Sequence, residues 1–387
     1  MPKAPFAHTR SQLKPENARA GITGALLRRA GVEPEDQRES DYGQEHKLGS
    51  IPYAAGRVLE SRGLEVPMDY GSTIRAAVSH GDLGEILSSV VNKVLVKSFE
   101  EAADSTDGWV SVVDVKDFKE QSRPRLSKLG GLEKLPRGGT AKHADPSDDH
   151  EEYKIARFAS QISLDEMDLI DDDTNALLQL PRELGAAAAR IRLDLVYSIL
   201  LANGVLSDGT ALFHSDHANL LSGASSALTG SSLQSAISMM SKQSENGVPL
   251  NVRAAYLVVP PDLRFLALQL LNSAEVRNPA ATSEHGTANP IHGESIQLRS
   301  DARLGSAGVT DPDTGQTYAG SAANWFLSAS PSTGPTIEVG YRMGTGRKPV
   351  VRPFVLDQGQ WGLGWDVAMD IGAKALDHRG LLRSAGS

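Results

Sequence analysis

The sequence predicts an α+β fold of several parts, on three observations. A helical run with one apolar stripe ends at about Asn203. From Gly230 onward, short apolar strands alternate with helical segments. Ahead of both lies a charged stretch, Asp114 to Ser160, that opens after Trp109-Val110-Ser111-Val112-Val113 and closes into Tyr153-Lys154-Ile155-Ala156-Arg157-Phe158. Its interior carries Gly130-Gly131 and Gly138-Gly139 and has too few apolar residues to build a core.

Residues 1–80 read as an amino-terminal extension with short helices. Pro15 to Ala30 is helical and is stopped by Gly31; Ser50 and Pro52 start a second helix that Gly63 ends. Glycines, prolines and mixed charges separate these pieces, so the expectation is an arm or a removable segment. In residues 81–113, Asp82 and Glu85 resemble a capping box. Leu83, Ile86, Leu87, Val90, Val91, Val94 and Leu95 recur at helical spacing, which predicts a helix from about Asp82 to Glu101 and then a strand near Trp109.

The stretch 114–160 is expected to be an extended loop. A connection that long inside a compact domain is functional or disordered. Its charge is sorted: Lys116, Lys119, Arg123, Arg125, Lys128, Lys134, Arg137 and Lys142 come before Asp145, Asp148, Asp149, Glu151 and Glu152. Such a segment cannot offset its own ordering entropy. Either it is a mobile hairpin or a neighbouring molecule holds it, and the second option points to an assembly. Arg123, Arg125, Lys128, Arg137, Asp148, Asp149 and Glu151 are the expected inter-subunit contacts. A single surface ion pair contributes only about 0–1 kcal/mol, so this role needs many pairs at once.

Residues 161–229 hold the expected structural spine. Ser163 with Glu166 is a second capping-box pattern, and Asp171-Asp172-Asp173-Thr174 puts negative charge ahead of a long helix, favourable for its dipole. Leu184, Ala188, Ile191, Leu195 and Ile199 form its stripe, with Arg190, Arg192 and Asp194 off it. Pro181 marks a kink or the true first turn, and Gly204 the stop. At 1.5 Å per residue the part after Pro181 makes a rod of roughly 33 Å.

Residues 230–360 form an α/β region. Ser231 to Ser241 is helical, Ala254 to Val259 is a strand closed by Pro260-Pro261, and Asp262 caps a helix through Leu271. Trp325 to Ala329, Thr336 to Tyr341 and Val350 to Val355 are further strands, and Asn278 to Gly293 is a loop. Residues 361–387 hold a last long strand, Trp361 to Ile371, and a tail at Arg379 to Leu382.

Composition narrows the function. The formal net charge is −9, which disfavours a large basic surface for nucleic acid. Without cysteine there is no disulfide, thiolate metal site or cysteine nucleophile. No signal peptide is expected, and the most apolar run, Leu193 to Leu206, falls short of the ~20 residues a membrane span needs. Gly-x-Ser-x-Gly and the phosphate-binding loop motif are both missing. Gly362 and Gly364 lack a third glycine and read as close-packing residues. Asp171 to Asp173 reads as a solvated helix start rather than a cation site. His214-Ser215-Asp216-His217 alone has a metal-like look, but a catalytic site needs a third ligand placed by the fold, and the motif falls short of the histidine-glutamate zinc motif. No metal site and no cofactor are assigned. The alternative for these histidines is hydrogen bonding within the loop after the spine helix.

The order of parts, together with certain segments, resembles a known family. The segments are Ser79-His80-Gly81-Asp82, Val90-Val91-Asn92-Lys93, Asp194-Leu195-Val196-Tyr197, Leu200-Leu201-Ala202-Asn203, Leu212-Phe213-His214-Ser215-Asp216-His217-Ala218-Asn219-Leu220, Tyr256-Leu257-Val258-Val259-Pro260-Pro261 and Asp377-His378-Arg379-Gly380-Leu381. In this order they resemble the major capsid protein of tailed double-stranded DNA bacteriophages, the Hong Kong 97 fold, and its branch in Mu-like prophages, where the capsid protein is sometimes fused behind a Clp-type protease. The resemblance covers about residues 75 to 387.

It implies an amino-terminal arm, an extended loop reaching over a neighbouring subunit, a peripheral domain with the spine helix, an axial domain around fivefold and sixfold axes, and a return strand to the peripheral sheet. It further implies pentamers and hexamers in an icosahedral shell that encloses double-stranded DNA without reading its sequence. Such a protein is a virion component assembled in the bacterial cytoplasm, is no enzyme and has no membrane partner. Portal, decoration and scaffolding proteins are its implied partners. Two alternatives stay open: an encapsulin-type nanocompartment shell, and a metal-dependent hydrolase using His214, Asp216 and His217.

Overall fold

A computed structural model describes residues 15–45, 50–80, 82–126, 148–171, 176–245, 247–276, 287–333, 336–354, 356 and 362–386. The chain is a mixed α+β protein. Helices α1 (Pro15–Arg29), α2 (Gln37–Glu45), α3 (Ile51–Ser61), α4 (Tyr70–Ser79) and α5 (Asp82–Glu101) come first. Strands β1 (Ser111–Val115), β2 (Gln121–Leu126), β3 (Asp148–Tyr153) and β4 (Ala156–Asp165) follow, then helices α6 (Glu166–Asp171) and α7 (Ala176–Ala202). The remainder holds helices α8 (Gly230–Ser241) and α9 (Pro261–Asn272) among strands. Among the described residues no helix is long and apolar enough to cross a membrane.

Two compact units divide the chain. One is Met1–Ala102, Arg157–Arg190 and Thr345–Asp370; the other is Ala103–Ala156, Ile191–Gly344 and Ile371–Ser387.

In the first unit, Ile22, Leu26 and Leu27 of α1, Val58 and Leu59 of α3 and Ile74 of α4 share one core with Leu83, Ile86, Leu87, Val90, Val91 and Val94 of α5, and with Leu164, Leu169 and Trp365. The expected amino-terminal arm is therefore a packed helical layer over its described residues. Its glycines and prolines punctuate helices rather than loosen them: Ser50 caps α3 by accepting from the Tyr53 N–H, Pro52 lies in the first turn, and Gly63 takes φ 73° just past the end. Burial of each large aliphatic side chain contributes about 1.5–3 kcal/mol, so this layer is integral to the unit. Polar clasps add to it. Lys93 Nζ binds both oxygens of buried Glu39 at 2.5 Å, and Trp365 Nε1 donates to Ser88 Oγ at 2.9 Å. Gly185 of α7 lies so near α5 that a Cβ there would collide with the Leu95 carbonyl.

The second unit is built on a five-stranded sheet in the order Gln297–Ser300, Ala254–Val259, Trp325–Ala329, Leu381–Ser384, Leu220–Leu221. The first and last pairs are parallel and the two middle pairs antiparallel. Leu233, Ala236 and Met240 of α8 and Ala267 and Leu271 of α9 pack with Leu257, Val259, Trp325, Leu327 and Leu382 from the sheet. A second set of strands pairs β1 in parallel with Ile337–Arg342, which pairs antiparallel with residues 371–375.

Three expected boundaries differ. Residues 345–370, assigned by sequence to the axial part or the return strand, cluster with the first unit. The carboxy-terminal tail is no appendage: Leu381–Ser384 bonds Trp325–Ala329 on one side and Leu220–Leu221 on the other. Helix α7 ends at Ala202 because Asn203 takes φ 49°, a left-handed conformation that asparagine tolerates, one residue ahead of the expected glycine stop. Ala188 and Leu195 of the expected stripe are buried, and in the second unit Leu193, Val196, Tyr197 and Leu200 are buried beside Leu195, so the buried face is broader than the stripe.

Candidate assembly interface

The charged stretch has a rooted base. Strands β2 and β3 pair antiparallel, with Arg123 opposite Glu151 and Arg125 opposite Asp149. The sorted charges of the sequence therefore become cross-strand neighbours, an arrangement that favours this register. Lys128 and Arg137 lie outside the described residues, as do 127–147 generally. Arg125, Asp148 and Asp149 take their backbone places in this pair of strands.

Arg123 and Glu151 turn to their own chain. Glu338 Oε1 accepts from Arg123 Nε at 2.6 Å and from the Tyr153 hydroxyl at 2.6 Å. Glu338 and Tyr153 are buried. Burial, reinforced by the bond to Glu338, pushes the Tyr153 hydroxyl far above the ordinary phenol range. Burial would lower Arg123, but its bond to Glu338 outweighs this and holds it above its usual value. Glu151 is 5% exposed and accepts from the Ser207 N–H at 2.6 Å, with Lys374 Nζ 3.9 Å away. The expectation of an inter-subunit contact thus meets, at Glu151, a carboxylate already enclosed. Its partners, Ser207 and Lys374, lie outside the charged stretch, where charge sorting cannot reveal them. The root's aromatic, Tyr153, sits over Gly340: a Cβ there would meet the phenolic oxygen at 2.7 Å.

The three residues of the alternative hydrolase reading, His214, Asp216 and His217, do not converge. His214 Nδ1 lies 3.4 Å from Asp216 Oδ2, both near the surface. His217 instead turns inward, with Nε2 3.0 Å from Asp208 Oδ2 and its ring stacked on His378 at 3.8 Å. The motif's spacing concealed this, because Asp208 and His378 lie outside it.

Large apolar side chains stand exposed on α9, where Phe265 is 80% and Leu266 39% exposed. A patch of this kind marks a contact surface when contiguous.

Comparison with known proteins adds the following. The family described as phage capsid protein matches residues 150–384. No curated protein matches the chain. Among solved structures, the chain is similar to the capsid of the cyanophage P-SCSP1u, at 14% identity over 73% of this chain and 88% of that one, with a TM-score of 0.49. It is similar to the capsid of Ralstonia phage GP4 at 15% identity over 73% and 86%, TM-score 0.46. The SrpI encapsulin complex from Synechococcus elongatus is similar at 10% identity over 71% and 84%, TM-score 0.42.

Proposed function

The chain belongs to the phage capsid protein family, and on that premise we propose that it is the major head subunit of a tailed phage, in the Mu-like branch of the Hong Kong 97-type capsids. It is a structural protein of the virion and not an enzyme. Pentamers and hexamers of this one fold would close an icosahedral shell around double-stranded DNA. Portal, decoration and scaffolding proteins would complete the head.

The observation that carries this reading is the hairpin root. Glu338 ties β2, through Arg123, and the end of β3, through Tyr153, to the strand Ile337–Arg342. A fixed root gives the charged residues between the two strands a defined origin. Lys128, Lys134, Arg137 and Lys142 would then meet carboxylates of the next copy. Each exposed pair is worth only about 0–1 kcal/mol, so holding strength comes from repetition over the shell. Phe265 and Leu266 of α9 would be covered between neighbouring copies around the axes. The net charge of −9 lets the shell surround DNA without adhering to it. Support for the Mu-like branch comes from the segments Leu212 to Leu220 and Asp377 to Leu381 in their order.

Negative-stain microscopy of the expressed chain tests the assembly, and reversal of Lys128 and Arg137 to Glu tests the loop. The reading expects shells from the parent and soluble, folded, unassembled subunits from the variant. Normal shells from the variant would refute the role of these cations.

A further inference from the structure

The loop that follows α7 folds around two backbone clamps in the second unit. Asn219 Oδ1 accepts from the His214 N–H at 3.0 Å, while its Nδ2 donates to the carbonyls of Leu212 at 2.7 Å and His378 at 3.3 Å. Gln243 Nε2 donates to the His217 carbonyl at 2.9 Å. The backbones of His217 and His378 are thereby held side by side, although they come from distant parts of the chain.

His217 is 8% exposed, and each ring nitrogen faces an oxygen. Nδ1 is 3.2 Å from the Leu212 carbonyl, which can only accept, so Nδ1 carries a hydrogen. Nε2 then points a lone pair at Asp208 Oδ2, 3.0 Å away. Two lone-pair bearers at that distance repel unless a cation lies between them, and that cation is a proton or a metal ion. An imidazole that donates one nitrogen to a backbone carbonyl and offers the other is the usual posture of a metal-ligating histidine. The separation is near the roughly 3.3 Å expected between two ligands of a tetrahedral zinc. The ligand atoms of Asp208, His217 and His378 all lie within 4.8 Å of one another, the single such group among the described residues.

We propose that Asp208, His217 and His378 bind a divalent transition-metal ion of the zinc class, with water completing the coordination. Two imidazoles and one carboxylate suit zinc, nickel or cobalt better than magnesium or calcium. The two rings lie parallel to within 5°, so their in-plane lone pairs run side by side. Binding requires one ring, His378, to turn about its terminal torsion, which is broad and soft for histidine. Asp208 Oδ1 accepts from the Thr210 N–H at 2.9 Å, which fixes the carboxylate beside His217. The ion would fasten the loop after α7 to the carboxy-terminal segment that enters the central sheet. Its role is structural, and it stands or falls independently of the capsid reading.

Isothermal titration of zinc into the chelator-treated full chain, with cobalt absorption as a second readout, tests the site. One ion per chain, an intense tetrahedral cobalt spectrum and a raised unfolding temperature are expected. Asp208→Asn and His378→Ala should each weaken binding at least tenfold, while His214→Ala leaves it unchanged. Failure of the folded parent to bind either ion would overturn the proposal and leave a proton between Nε2 and Oδ2. Equal binding by the parent and both ligand variants would overturn it as well.

Discussion

Tyr153 donates its hydroxyl to Glu338 across 2.6 Å, in a buried site where the same carboxylate oxygen also receives Arg123. This pairing joins the charged hairpin to a strand near the other end of the chain. Tyr153→Phe removes one hydrogen bond to a charged acceptor, worth about 1.5–3 kcal/mol. Glu338→Ala orphans two donors and should cost more. Urea unfolding of the unassembled subunit reads both.

The same bond gives a pH signature. The fold holds Tyr153 protonated to higher pH than the unfolded chain does, whose phenol titrates near 10. Its contribution is fully present below that value and is lost as the pH rises from there through the raised folded value. Tyr153→Phe should therefore flatten the alkaline fall in stability, measured as unfolding midpoint against pH. An unchanged alkaline slope contradicts the assignment.

Gly340 is coupled to Tyr153. A Cβ at position 340 would meet Tyr153 Oη at 2.7 Å and Val115 Cγ2 at 2.9 Å. Gly340→Ala should cost roughly 1–3 kcal/mol by overpacking. In a Tyr153→Phe background the nearest clash is gone, so a double-mutant cycle should show the second cost reduced. Additive costs would mean the Tyr153 hydroxyl does not press on position 340.

The amino-terminal helices are part of the first unit's core. Leu26, 1% exposed, packs in one cluster with Leu87 of α5. Leu26→Ala should lose about 2–5 kcal/mol, as much as Leu87→Ala. A chain lacking residues 1–80 should be insoluble or unfolded, because it uncovers Leu83, Ile86 and Val90. A soluble, cooperatively folding truncation would show these residues to be dispensable.

Charge reversal should separate root from reach. Arg123→Glu sets two carboxylates against each other at Glu338 and should lower subunit stability before any assembly. Lys128→Glu should leave the subunit's unfolding midpoint within about 0.5 kcal/mol of the parent and act on assembly alone. Equal losses of subunit stability from both would collapse the distinction.

Local signals were legible where local forces decide. The apolar spacing of α5 named its buried face residue for residue, and the short strands Ala254–Val259 and Trp325–Ala329 were bounded by their own apolar runs. Helix α7 was placed and Ala188 and Leu195 of its stripe are buried, but Val196, Tyr197 and Leu200 were missed; Tyr197 is chosen by contact with Trp109 and by its bond to Ser105. Remote pairings stayed hidden: Glu338 with Tyr153, and His378 with His217. The short amino-terminal helices were legible, but their packing onto α5 was not, because glycine and proline mark helix ends as readily as loose chain.

Electron cryo-microscopy of particles formed by the expressed chain tests the central claim most directly. The account predicts closed shells in which density for residues 127–147 lies against an adjacent subunit. Discrete particles of a single copy, with that density folded onto its own chain, would contradict it.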